Sequence, residues 1–308
     1  HPVIVHSALS GITDRLEQLL AKALTGEWEP VMDQIERRHL DLARDLGIHI
    51  EAALDHHFTD LRRSAEGIHL IGEVSDRLRA RVMANGELMA TRIGAAFLQA
   101  EGIDVQWLDA RTLLHAEVRP GATERAGYLS ATCVFEPDTA FQQRLASGGK
   151  VLITQGFIAS DAHGDTVLLG RGGSDTSGSY FAAKLGARRL EIWTDVPGMF
   201  TSNPKSVSNA RLLKSLDYDE AQEIASSGAK VLHPRCILPV KQYAIPLTVH
   251  ATQQPELEGT VVTATGGDGG ARVKAVCIKK GITLLSLETL GMWHQVGFLA
   301  DAFAVFKD

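Results

Sequence analysis

The densest chemistry in the chain lies in Leu169-Gly170-Arg171-Gly172-Gly173-Ser174-Asp175-Thr176-Ser177. This run joins an apolar strand pattern to a helical one. Glycines in such a turn let the backbone approach a ligand and aim amide N–H groups at an anion. The dipole of the following helix adds to the attraction. The run is not a P-loop, because the Gly-Lys-Ser/Thr ending is missing, and it lacks the third glycine of Gly-x-Gly-x-x-Gly. Glycines alone would suit a tight packing turn equally well. Arg171 and Asp175 tip the balance, since opposite charges in one turn suit a zwitterionic ligand.

Other candidates are weaker taken singly. Ser10 and Thr13 sit where a turn opens a helix, and their hydroxyls could donate to a substrate or simply cap the helix, with Thr13 or Asp14 as the cap. Glu87 follows Asn85-Gly86 and reads on its own as a carboxylate complementing a helix N-terminus. Thr194-Asp195 follow a buried strand, the place where α/β sheets put ligands. Lys230 would by itself be one exposed lysine among many. Five histidines (His39, His49, His56, His57 and His69) fall in one polar-faced region. Neighbours on a helix point about 100° apart, so His56-His57 is no metal pair, and solvated surface histidines are expected.

The elements that must position these groups alternate. Val3 to Val5 reads as a strand, followed by a helix with Leu16, Leu19, Leu20, Ala23 and Leu24 on one stripe. Residues 28 to 84 are mostly helical, and a further helix spans Glu87 to Ala100. Strands follow at Val105 to Leu108, Lys150 to Thr154, Thr166 to Leu169, Leu190 to Trp193 and Leu247 to Val249. Helices are expected just before Gly148-Gly149, from about Ser177 to Leu185, and over Asp217 to Ser227. Strands alternating with helices imply a mainly parallel sheet covered on both faces. Thr263 to Gly270 reads as a linker. After it come two strand patterns, Val273 to Ile278 and Ile282 to Leu287, and a helix carrying Val296, Leu299, Phe303 and Phe306. Two strands and a helix cannot bury a core alone, so this segment reads as the start of a second domain.

Composition bounds the rest. The chain has 308 residues, 44% hydrophobic and 22% charged, which is globular and argues against disorder or coiled coil. No apolar stretch reaches the ~18 residues of a membrane span. The formal net charge of -6 argues against a general nucleic-acid partner. Cys133, Cys236 and Cys277 lie far apart, so neither a disulfide framework nor a zinc cluster is indicated, and a cytoplasmic setting is the simplest expectation. The opening His1-Pro2-Val3 and the ending Lys307-Asp308 both read as cuts within a longer chain.

Taken in order, the motifs resemble those of aspartate kinases in the amino acid kinase superfamily. Gly170 to Asp175 matches their Gly-Arg-Gly-Gly-Ser-Asp motif. Ser7 to Thr13, Asn85 to Ala90, Thr154-Gln155-Gly156-Phe157-Ile158, Trp193 to Gly198 and Gly228 to Pro234 fit five further elements. The resemblance spans essentially the whole chain, and six ordered motifs are far more specific than one. It implies an amino acid kinase fold over residues 1–262, an α/β sheet between helices. Residues 263–271 would be the linker, and 272–308 the beginning of an ACT regulatory domain. The family's opening Lys-Phe-Gly-Gly-Thr-Ser element has no counterpart in this sequence.

The implied reaction moves the γ-phosphoryl of ATP, with Mg²⁺, onto the β-carboxylate of L-aspartate. That carboxylate is already ionised near pH 7, so positioning and positive charge matter more than a general base. On the resemblance, Arg171 and Asp175 are the catalytic candidates, with Arg171 clamping a substrate carboxylate through its two-pronged guanidinium. Ser10, Thr13, Glu87 and Ser174 would complete the aspartate site, Glu87 facing the amino group. Thr194, Asp195, Phe200, Lys205 and Lys230 would face the nucleotide. Phe200 stands where many relatives carry Tyr, and Lys205 where arginine is frequent. A homo-oligomer and feedback by lysine, threonine or both at the ACT region are further implications. Two rivals are a glutamate or acetylglutamate kinase and a non-catalytic regulatory subunit. The motifs around Glu87 and Lys230 and the ACT start argue against the first. Intact Arg171, Asp175, Glu87 and Lys230 argue against the second.

Overall fold

The computed structural model describes residues 2–228, 231–267, 273–278, 281–286 and 297–306. The first half opens with strand β1 (Val3–His6) and continues into four helices, α1 (Ile12–Thr25), α2 (Glu29–Asp45), α3 (Glu51–Ile71) and α4 (Asp76–Ala100). Strand β2 (Val105–Trp107), the short helix α5 (Glu124–Leu129) and α6 (Thr139–Gly148) lead to β3 (Val151–Gln155). A tight hairpin follows, β4 (Ile158–Ser160) against β5 (Thr166–Leu168), and then α7 (Gly173–Leu185). The second half comprises β6 (Leu190–Thr194), β7 (Ser215–Asp217), α8 (Tyr218–Ser226), α9 (Ile237–Gln242), β8 (Leu247–Ala251) and β9 (Thr260–Thr263). A last helix, α10, spans Phe298–Ala304.

The expected parallel sheet is present as two separate ladders. In the first, β3 lies between β1 and β2, parallel to both, with Ile153 opposite Ile4 and Trp107. In the second, of order β6-β8-β9-β7, β6 and β8 run parallel, and so do β7 and β9, while β8 and β9 are antiparallel. Each ladder has its own apolar core. One gathers α1 to α4 with the β3–β5 region and the face of α7 carrying Tyr180 and Phe181. The other gathers α8, α9 and the inner residues of β6, β8 and β9.

Helix α1 shows why the pattern folds as it does. Leu16, Leu19, Leu20 and Ala23 recur at helical spacing and are buried, while Leu24 stays exposed. Gly26 ends the helix in the left-handed region at φ 78°, where a Cβ would also strike the His69 ring. The helix begins one residue before Thr13, on Gly11, with no side-chain cap. Thr13 and Asp14 therefore lie inside the first turn, and the capping expected of them is not made.

Four other expectations are corrected. Helix α4 starts at Asp76, capped by Ser75, so Glu87 lies in the middle of a 25-residue helix and complements no N-terminus. His39 and His57 are buried, not solvated: α2 and α3 are clamped between neighbours, and their polar-looking faces carry these rings inward. The His39 ring bonds the Ile35 carbonyl at 2.7 Å, and His57 Nδ1 donates to Asn85 Oδ1 at 2.8 Å. Burial holds both below the ordinary histidine pKa, His57 at about 4. Helix α7 begins four residues before Ser177, so Ser174 and Asp175 belong to its first turn. Finally, neither 273–278 nor 281–286 forms a strand. A strand needs a neighbour for its ladder, and 273–278 lies instead across the second core. There the Val276 N–H donates to Thr201 O at 2.8 Å, and Lys274 pairs with Glu220 at 2.5 Å. Leu287 and Val296 lie outside the described residues.

Candidate active site

Three motif segments meet where β1 and β3 end and α7 begins. After β3 the chain turns sharply at Gln155-Gly156-Phe157. The Gly156 N–H donates to His6 O, at the end of β1, across 2.9 Å. A Cβ on Gly156 would come within 2.8 Å of the backbone of Ser174, so only glycine admits this approach. Phe157 itself adopts φ 66°, costly for a bulky residue. Its N–H is anchored by Ser177 Oγ at 2.9 Å. The ends of both strands are thereby pressed against the first turn of α7.

That first turn is built to receive negative charge. Gly170 and Gly172 are both left-handed, at φ 74° and 64°, and Gly172 is the N-cap. The amides of Ser174 and Asp175 have no acceptor within the helix. Arg171 is exposed at the apex of the turn, and among the described residues it makes no ion pair with Asp175. Asp175 is half-buried, and burial raises its pKa against the opposing pull of the His233 backbone N–H.

Glu87 reaches the same end of the sheet from below. It is 4% exposed, and its Oε1 accepts from the Ala8 N–H at 3.3 Å, just past β1. The preceding Gly86 lets α4 come close to that turn, since a Cβ there would meet the Ala8 methyl at 3.1 Å. Burial pushes the Glu87 carboxyl up to about 8. At neutral pH it is mainly a neutral acid. Ser10 and Thr13 are exposed on the rim of this turn.

The second cluster lies along the other ladder. Thr194 closes β6, its carbonyl accepting from the Thr252 N–H at 2.8 Å, and Asp195 is exposed just beyond. Because β6 runs back alongside α7, its C-terminal end lies at the same end of the layer as the first turn of α7. Gly198 packs so tightly on Thr260 that a Cβ would overlap it. Phe200 bridges to Leu212, and Lys205 is exposed in a turn closed by its N–H to Asn203 Oδ1 at 2.9 Å. Lys230 lies outside the described residues. The structure thus brings Ser174, Asp175, Arg171, Glu87, Ser10 and Thr13 to one corner, with Thr194 and Asp195 at the same edge and Phe200 and Lys205 in the loop beyond.

Sequence reasoning missed His233. Its ring lies against Gly172, where a Cβ would be 2.2 Å from it, and burial lowers its pKa. It was visible only as the histidine of Leu232-His233-Pro234. Beside it, Arg235 donates to Leu169 O and Ala131 O, both at 2.6 Å, fixing the strand that feeds the glycine turn. No three His, Cys, Asp or Glu side chains among the described residues gather as a metal cage. Asp195 is an exposed carboxylate of the kind that would ligate an Mg²⁺ held mainly by waters and substrate phosphates.

Residues 1–250 match the model of the amino acid kinase family, and the chain belongs to that family. Its similarities within the family point one way. It is 33% identical over 315 residues to lysine-sensitive aspartokinase 3 of Escherichia coli K12, covering 98% of this chain and 66% of that protein. To the chloroplastic aspartokinase 2 of Arabidopsis thaliana it is 30% identical over 313 residues, covering 100% of this chain and 57% of that one. The crystal structure of E. coli aspartokinase III in complex with aspartate and ADP, in its R-state, superposes with a TM-score of 0.76 at 31% identity. That match covers 87% of this chain and 59% of the other. The T-state complex of the same enzyme with lysine and aspartate gives 0.73, at 31% identity, over 99% and 67%. The fold is therefore the amino acid kinase fold. The chain spans about two thirds, or less, of the length of these curated relatives.

Proposed function

We propose that this protein is an aspartate kinase, transferring the γ-phosphoryl of MgATP to the β-carboxylate of L-aspartate to give 4-phospho-L-aspartate. One observation carries the reading. A buried carboxyl, Glu87, faces the same corner as an open, left-handed glycine turn tipped by Arg171. Such a pair receives an ammonium group at one end and a carboxylate at the other. The likeness to a kinase crystallised with aspartate and ADP supports the same assignment.

Each role follows from position. Arg171 is free to take a substrate carboxylate in a two-pronged bond. The amides of Ser174 and Asp175 and the hydroxyls of Ser10 and Thr13 supply further donors. Asp175 lies beside the His233 backbone, whose N–H opposes the rise that burial gives its pKa. Glu87 ionises on meeting the substrate ammonium, because the arriving cation offsets the burial that held it neutral. The acceptor carboxylate needs no general base, and rate comes from alignment and positive charge around the moving phosphoryl group. Thr194, Asp195, Phe200, Lys205 and Lys230 are assigned to the nucleotide, whose Mg²⁺ neutralises phosphate charge when bound.

Residues 1–262 form the catalytic domain in this reading, 263–271 the linker and 272–308 the beginning of an ACT regulatory region. Feedback by lysine or threonine would act there, and a cytoplasmic setting fits. Leu284, Leu299, Phe303 and Phe306 are more than half exposed, which favours a homo-oligomer that covers them. The test is phosphoryl transfer in the full-length protein, read as ADP formation with L-aspartate against L-glutamate. Turnover with aspartate at saturating MgATP is the expected result. Turnover with glutamate alone would transfer the protein to another member of the family.

A further inference from the structure

Behind Glu87 lies a polar knot that no substrate role accounts for. Thr91 and Gln155 are both completely buried, one on α4 and one at the end of β3. Gln155 Nε2 donates to Thr91 Oγ1 at 2.8 Å, and Trp107 Nε1 donates to the same oxygen at 2.9 Å. A hydroxyl has two acceptor sites and one proton. Both acceptor sites are filled, so the proton is directed to the Glu87 carbonyl at 2.9 Å, shared with Leu88 O at 3.1 Å. Gln155 is fixed at its other end, where Oε1 accepts from the Ala110 N–H at 2.8 Å. The Trp107 ring is held in turn by the Arg92 guanidinium, 3.6 Å above its centroid. Thr91, Gln155 and Trp107 each have their hydrogen-bond partners within the link, which in a buried setting makes it rigid and costly to alter.

The two ends of this link are the two ends of the amino-acid site. Thr91 bonds the backbone of Glu87 itself. Gln155 immediately precedes Gly156, which touches Ser174 in the first turn of α7. A ruler therefore runs from the ammonium side to the carboxylate side through one side-chain hydrogen bond.

We infer that Thr91 and Gln155 are positioning residues that set the span between Glu87 and the Gly170–Asp175 turn, and thereby the length of the dicarboxylic amino acid the site accepts. This rests on the aspartate reading above. Neither residue touches substrate. Their effect is on distance, so it falls on the amino acid and not on the nucleotide.

The experiment compares Thr91→Val, Thr91→Ser and Gln155→Met in the full-length protein, measuring KM for aspartate, KM for MgATP and the ratio of aspartate to glutamate turnover. Valine keeps the shape of threonine and removes the hydroxyl; serine keeps the hydroxyl. For Thr91→Val and Gln155→Met the aspartate KM should rise about tenfold, the loss of roughly one well-made hydrogen bond. The preference for aspartate over glutamate should narrow, with KM for MgATP unchanged and Thr91→Ser near wild type. The double variant should be little worse than either single one, because both break one link. If Gln155→Met does not fold, the valine–serine pair at Thr91 carries the comparison. Equal shifts in both KM values, or an unaltered aspartate-to-glutamate ratio, would overturn the inference. A wild-type protein that does not use aspartate would overturn the functional reading, and this inference with it.

Discussion

Replacing Glu87 by Gln tests the ammonium role directly. The carboxyl is 4% exposed, its Oε1 accepts from the Ala8 N–H, and burial raises it from 4.5 to about 8. At ~1.4 kcal/mol per pH unit, burying the ionised form costs on the order of 5 kcal/mol. The sign follows from proton counts. Between pH 4.5 and about 8 the folded state holds a proton that the unfolded state has lost, so stability falls as pH rises. The slope is at most ~1.4 kcal/mol per pH unit, or roughly 2.5 kcal/mol from pH 5.5 to 7.5. Glutamine keeps the shape and the acceptor for Ala8 but cannot ionise. His57 titrates with the opposite sign, losing stability as pH falls from 6.5 towards 4. The quantity to measure is therefore the difference between wild type and Glu87→Gln in urea unfolding, in which His57 cancels.

The same ionisation should appear in binding. With a pKa of about 8, Glu87 is roughly nine-tenths protonated at pH 7. Aspartate brings a fixed ammonium charge, so binding should expel close to one proton. Calorimetry in two buffers of different ionisation enthalpy reads that number. Aspartate affinity should strengthen as pH rises towards 8, and Glu87→Gln should release no proton and bind aspartate more weakly. Binding to the wild type without proton release, or a Glu87→Gln protein with the wild-type pH slope, would refute the reasoning.

Arg171→Lys keeps the charge but loses the fork, and should cost ~1.5 to 3 kcal/mol of aspartate binding, with MgATP affinity barely altered; steady-state kinetics on both substrates separates the two. Lys230→Ala should weaken MgATP binding and leave aspartate binding nearly intact, by calorimetry with each ligand. Gly156→Ala forces a methyl to within 2.8 Å of Ser174, an overpacking penalty of ~1 to 3 kcal/mol in urea unfolding, accompanied by a higher aspartate KM.

How much was legible in the sequence differs by kind of residue. The stripe of α1 and the strands β3, β6 and β8 follow from periodicity, because burial on one side writes a repeat into the chain. The start of α4 did not, because Asn85-Gly86 reads as a helix breaker. Gly86 serves instead to bring the helix close to Ala8, a demand made by a partner 78 residues away. Strands β4, β7 and β9 are three or four residues long, too short for a period to register. The polarity around His39 and His57 predicts surface positions, whereas each is buried with a specific acceptor. The glycine turn was legible as chemistry, and its partners Gln155 and His233 only as letters in motifs.

The two halves of the site meet in that turn, and the contacts there explain why its glycines are spaced as they are. Gly173 lies under Phe157, where a Cβ would be 2.6 Å from the ring, so the turn is fitted to the β3 side. Gly172 needs both its left-handed φ and the space taken by the His233 ring, so the same turn is fitted to the segment after α8. A residue with a side chain at either glycine would separate the turn from one of its two neighbours. Arg171, which carries no such packing duty, is left exposed at the apex. The motif is thus a joint first and a binding loop second. In the proposed reading, this turn, fitted to Phe157 on one side and to His233 on the other, holds the amino acid and nucleotide sides in register.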